Sequence, residues 1–191
     1  DIITEKGEKW MDESAVETFN MTGQFEDVNV MGLEPYENLT NCTAAPYASY
    51  LLNKESMNEK DLNNAIDLIR LSEDQFTFWN TTPNEYGLRM MATPCVFEQY
   101  KYQKPVDHSA HNVAMAFLDL YEKTGDKLAF AKAKALVDNM TIVQNKGNGQ
   151  MPTTWDFRTP YHDSNRSFWT NCTYAAVTAL LRMAEITENE K

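Results

Sequence analysis

Apolar residues fall along this chain in two kinds of helical pattern, and the two kinds alternate. From Leu62 to Phe78 the apolar residues Leu62, Ala65, Ile66 and Ile69 keep to one stripe. From Leu128 to Val143 the stripe is Leu128, Ala131, Ala135, Leu136, Met140 and Val143, while Lys127, Lys132, Lys134 and Asp138 occupy the rest. That spacing predicts outer helices with one wet face. From Ala110 to Tyr121, and again from Tyr174 to Ala184, apolar residues cover almost the whole circumference. Such a pattern predicts inner helices surrounded by protein.

The inner helices have similar beginnings. Thr40-Asn41-Cys42-Thr43-Ala44-Ala45 leads into Tyr50-Leu51-Leu52, and Thr170-Asn171-Cys172-Thr173-Tyr174-Ala175-Ala176 leads into Ala179-Leu180-Leu181. Midway, Asp107-His108-Ser109-Ala110-His111-Asn112-Val113-Ala114 leads into Met115-Ala116-Phe117-Leu118. Three similar helix starts at nearly even intervals predict a repeat of roughly 65 residues. The hairpins run over about 40–80, 107–145 and 170–191, the last incomplete.

Turns from inner to outer helix are short. Lys123-Thr124-Gly125-Asp126 supplies a C-terminal glycine and a capping aspartate, and Asn58 can cap the first outer helix. The returns are long, from about Asn80 to Asp107 and from about Asn145 to Trp169, with another long stretch from about Asn20 to Leu39. Loops of that length inside a compact domain are usually functional. Since each precedes an inner helix, all three are expected on the face where the inner helices begin.

Composition fits a globular chain: 191 residues, few glycines or prolines and 42% hydrophobic residues. The net charge of -11, with no run of Lys or Arg, argues against nucleic acid or an anionic membrane surface as the main partner. No stretch approaches the roughly 18 consecutive apolar residues of a spanning helix. The start at Asp1-Ile2-Ile3-Thr4-Glu5 has neither an initiator Met nor a signal peptide, and reads as a processed or excised piece. Cys42, Cys95 and Cys172 lack the close spacing of a zinc or redox motif and read as small buried residues. Asn-X-Ser/Thr sequons recur at Asn20, Asn38, Asn41, Asn80, Asn139, Asn165 and Asn171. Several fall within expected helices, so they leave the compartment open, with a periplasmic or extracellular location favoured.

Alternating inner and outer helices, short turns on one face and long aromatic-rich loops on the other resemble the six-hairpin, or (α/α)6 toroid, glycosidases. The resemblance is strongest from Tyr121 to Ala133, where Tyr-Glu-Lys-Thr-Gly-Asp-Lys-Leu opens an outer helix, and in Gly147-Asn148-Gly149-Gln150-Met151-Pro152 after it. It covers most of residues 40 to 187 and implies an all-α fold, a partial toroid of about two and a half hairpins. The remaining hairpins would come from a longer chain or from a partner copy, with a longer chain favoured.

The segment from Thr153 to Asp163 is richest in candidate chemistry. It holds Trp155, Asp156, Phe157, Arg158, Tyr161, His162 and Asp163, with Arg166 and Trp169 close behind. A sugar site needs this mixture: aromatic faces for the pyranose ring, charged groups for the hydroxyls, and paired carboxylates for acid and base work. A loop pinned by its own aromatics is the alternative. Asp107, His108 and His111 form a second constellation at a helix start, whose positive end favours the neutral base form of a histidine. Buried histidines without chemistry are the alternative there, and a two-histidine metal site is the weaker reading. Glu37 and Glu98 are further candidates for a carboxylate pair, or ordinary solvated acids. No phosphate loop, nucleophile elbow or HExxH motif occurs.

The resemblance and these residues imply a glycoside hydrolase acting on an oligosaccharide or polysaccharide. Asp156 and Asp163 would be acid and base or nucleophile, and Trp155 and Trp169 stacking platforms. His108 would contact substrate, with Asp107, His111, Arg158, Tyr161, His162 and Arg166 around it. An epimerase or polysaccharide lyase working through His108, His111, Tyr161, His162 and Arg166 stays open. So does a binding module of helical repeats without catalysis. No cofactor is implied.

Overall fold

The computed structural model describes residues 2–13, 44–79, 93–98, 105, 107–144, 147–154 and 168–189. Among these, the chain forms six helices and one small pair of strands: α1 (Ile2–Met11), α2 (Ala44–Leu52), α3 (Glu59–Phe76), β1 (Thr77–Phe78), β2 (Cys95–Val96), α4 (Asp107–Thr124), α5 (Lys127–Val143) and α6 (Thr170–Asn189).

The helices begin and end where their residues allow. Asn58 accepts a hydrogen bond from the Asp61 amide while the Asp61 carboxylate accepts one from the Asn58 amide, a reciprocal box that starts α3. Asp126 caps α5 through the Leu128 amide. Gly125 takes a φ of 72°, and its N–H donates to the Tyr121 carbonyl, so α4 closes in the left-handed conformation that glycine adopts without strain.

Two layers result. α4 packs against both α2 and α6, forming a row α2–α4–α6, while α3 lies against α2 and α4, and α5 against α4 and α6. The central position of α4 agrees with its all-round apolar pattern: Val113, Ala114, Ala116 and Leu118 are fully buried. α4 and α6 run parallel, because Ala175 near the start of α6 meets His111 near the start of α4, and Arg182 meets Asp119 and Glu122 further along.

Lys132 of α5 bridges the second layer. Its ammonium pairs with Glu73 of α3 and lies 5.6 Å from the centre of the Trp79 ring and 5.4 Å from that of Phe117, so one partly buried cation ties α3, α4 and α5. α1 buries Met11 in the core and is otherwise held by polar contacts. Tyr50 donates to Glu8 at 2.8 Å, Lys54 pairs with Glu8 at 3.2 Å, and Lys60 reaches Asp12 at 2.6 Å.

Three expectations need correction. The first outer helix ends at Phe76, not Phe78; Thr77 turns to extended backbone and pairs with Val96, and Phe78 pairs with Cys95. β-branched and aromatic residues at 77, 78 and 96 favour that pairing, so the fold is mostly helical with a minor strand pair instead of purely all-α. α1 has no counterpart in the apolar repeat. Most of all, α6 is not wrapped on every side: Tyr174, Val177 and Leu181 are exposed. An apolar circumference shows which faces suit burial, not which faces this chain covers.

Candidate functional site

The helix starts of α4 and α6 adjoin, and the segment 147–154 is fastened to them. Gly149 sits at a positive φ of 75°, in a turn where the Asn148 side chain accepts from the Gln150 amide. From there the Met151 amide donates to Thr173 Oγ1 at 3.1 Å. Two residues on, Thr153 Oγ1 accepts from the Trp169 amide at 2.7 Å. Residues 153 and 169 are thereby tied together beside the start of α6, one on each side of the aromatic and acidic segment. Trp169 itself is 62% exposed, an indole free to meet a ligand.

His108 and His111 lie on the first turns of α4, with ring centres 6.2 Å apart. Asn112 Nδ2 is 3.4 Å from His108 Nδ1, one helical turn on. His111 is the more perturbed. Burial, then the neighbouring His108, pull its pKa down to about 4, against a hydrogen bond to the Ala175 backbone that works the other way. It is therefore neutral at pH 7, and its Nδ1 is buried with no protein partner among the described residues.

Strand β2 approaches α4 from the other side. The Phe97 amide donates to the Phe76 carbonyl at 2.8 Å, and Phe97 bridges to Pro105 just before the helix. Glu98 follows directly, half-buried. Cys95 is fully buried on β2, and desolvation pushes its thiol up to about 12, so it is inert packing and not a nucleophile. Cys172 is also buried.

Of the residues singled out from the sequence, the structure brings His108, His111 and Trp169 to one end of the helix layer, with Glu98 on the neighbouring segment. Asp107 opens α4, and its side chain lies outside the described residues. Trp155, Asp156, Arg158, Tyr161, His162, Asp163, Arg166 and Glu37 lie outside them as well. Sequence reasoning missed Asn112, Thr153 and Thr173. The spacing of four between His108 and Asn112 was a usable signal; nothing in the sequence pairs Thr153 with Trp169.

Two grooves lie away from this end. One, of about 400 Å³, runs between α3 and α5 and includes Ile66, Ile69, Glu73, Leu128 and Lys132. The other, of about 480 Å³, is lined by Glu5, Glu8, Lys9, Asp12, Glu13 and Lys60. The first is floored by apolar side chains at the C-terminal end of α4, and the second is an acidic surface crossed by ion pairs. Among the described residues no cluster of three His, Cys, Asp or Glu could hold a metal ion.

Comparison with known proteins adds no identification. No protein-family model, no curated protein and no solved structure matches the chain.

Proposed function

We propose that the chain forms part of a carbohydrate-active enzyme, a glycoside hydrolase, whose site lies at the end of the layer where α4 and α6 begin. The observation that carries this reading is the bond from the Trp169 amide to Thr153 Oγ1. It ties residues 153 and 169, which flank Trp155, Asp156 and Asp163 in the sequence, before the start of α6, whose Ala175 meets His111. The sequence between the two tied residues supplies aromatic rings and carboxylates, the side chains that a pyranose ring and its hydroxyls require. In this reading one of Asp156 and Asp163 protonates the leaving oxygen, and the other activates water or attacks the anomeric carbon. The row α2–α4–α6, backed by α3 and α5, supports the finer reading of an arc of an (α/α)6 toroid.

A second reading has its own observation. His108 and His111 stand with ring centres 6.2 Å apart on the first turns of α4, and two imidazoles at one place favour the acid and base work of an epimerase or lyase.

The test is release of reducing ends from a panel of oligosaccharides and polysaccharides, with single variants Asp156→Asn, Asp163→Asn, His108→Gln and His111→Gln. A hydrolase loses at least a hundredfold in turnover without one carboxylate and far less without either histidine. The reverse pattern assigns the chemistry to the histidines. Sugar affinity without turnover in the unsubstituted protein would leave a binding module.

A further inference from the structure

The two ends of α6 are held to α4 by different chemistry. Toward its far end Arg182 pairs with Asp119 and Glu122. At its start no ion pair occurs among the described residues. There α6 buries Ala175 and Ala176, and the polar contact across the interface is the hydrogen bond between His111 and the Ala175 backbone. The same end of α6 carries two ties to the chain before it, the Met151 amide on Thr173 Oγ1 and the Trp169 amide on Thr153 Oγ1. A movement of the start of α6 therefore reaches residues 151 and 153.

His111 is the group of this joint that can change charge. Its Nδ1 is buried with no hydrogen-bond partner among the described residues, so a proton added there is a buried charge with nothing to accept it. On α4, His108 stands with its ring centre 6.2 Å away and opposes a second positive charge, while the Asp107 side chain lies outside the described residues. α2 carries no ionisable side chain but Tyr47 and Tyr50, residues 147–154 carry none, and the first nine residues of α6 carry only the exposed Tyr174. α5 ends beyond Asp138, which pairs with Lys134 at the surface. α3 ends beyond Glu73, which pairs with Lys132, and the exposed Asp74. β2 brings Cys95, whose thiol stays protonated, and Glu98 follows it. Of all these, His108 is the group whose charge acts on His111.

We propose that the start of α6 is an acid-released joint: protonation of His111 frees the first two turns of α6 from α4, and with them the ties to Met151 and Thr153, while the Arg182 clamp keeps the far end in place. Only the released form opens His111 Nδ1 to water, so acid selects that form. The packed form holds the ring at a pKa of about 4, against about 6.5 for an ordinary imidazole. That difference raises the ratio of released to packed form about twentyfold between pH 7 and pH 5. Release stops at the clamp, because freeing Arg182 as well would leave Asp119, whose side chain is only 3% exposed, without its cation. The inference goes beyond the sugar chemistry and does not depend on it.

Amide hydrogen exchange of the 191-residue chain at pH 7 and pH 5, expressed as protection relative to the unstructured rate at each pH, reads the joint. The amides of Met151 and Trp169, bonded in the packed form to Thr173 and Thr153, should lose protection together with those of Tyr174–Thr178, by about twentyfold from pH 7 to pH 5. Leu181–Glu185, around the clamp, should keep theirs. His111→Gln, neutral at both pH values, should remove the change at the start of α6. Should that variant not fold, the contrast between the two halves of α6 in the unsubstituted chain decides alone. The inference is overturned by protection that does not change between the two pH values, by equal loss along the whole of α6, or by a loss that persists in His111→Gln.

Discussion

Arg182 of α6 donates through Nη2 to Asp119 Oδ1 of α4 at 2.6 Å, and the Asp119 side chain is only 3% exposed. The pair sits at one edge of the α4–α6 interface, where α6 otherwise buries Ala175, Ala176, Ala179 and Met183. Glu122 shares the same guanidinium, closer to solvent.

Removing the cation strands a buried carboxylate. Arg182→Ala should cost about 3 kcal/mol in urea unfolding, since an unpaired buried charge is worse than no charge. The double variant Asp119→Leu with Arg182→Met should recover most of that loss. Equal losses in the single and double variants would mean that Arg182 acts by packing alone.

His111 gives the fold a dependence on pH. Its folded pKa of about 4 lies below the ordinary imidazole value of 6.5, so the folded state disfavours the charged ring. The stabilisation is present above about pH 6.5 and is lost as pH falls from there through about 4, to a total on the order of 3 kcal/mol. Urea midpoints measured from pH 7.5 to 4 should fall, and His111→Gln should flatten the part of the slope due to this ring. A slope unchanged by the substitution would contradict its burial.

Local helix signals should behave independently. Asn58→Ala and Asp126→Ala each remove a cap and should cost about 1 kcal/mol; Gly125→Ala, forced to a positive φ, should cost a similar amount. Asn58 lies in a different turn from Gly125 and Asp126, so its loss should add to either of theirs, as thermal or urea unfolding would show.

Thr153→Val deletes the acceptor that ties residue 153 to 169 and should cost about 1 kcal/mol in stability. If the loop it closes carries the chemistry, turnover should fall by tenfold or more at temperatures where the fold is intact. Unchanged turnover would separate this tie from the site.

What was legible in the sequence is what local chemistry decides. The Asn58 cap, the Gly125–Asp126 turn and the wet faces of α3 and α5 rest on residues within a turn or two of each other. The strand pair β1–β2 was hidden because two residues on each side carry no period, and α1 because it buries only Met11 and its polar contacts reach partners distant in sequence. The open face of α6 was misjudged because hydrophobic periodicity records what suits burial without naming the neighbour. At the site, composition marked His108, His111 and Trp169. The depressed pKa of His111 depends on how α6 covers α4, which no local pattern contains.

The location of the proposed site is tested most directly by amide hydrogen exchange with and without a bound oligosaccharide. Protection should appear at the starts of α4 and α6, at His108–Asn112 and Trp169–Tyr174, and through the stretch from Thr153 to Trp169 that carries the proposed acids. Protection in the groove between α3 and α5, at Ile66–Glu73 and Leu128–Lys132, with none at those helix starts, would contradict it.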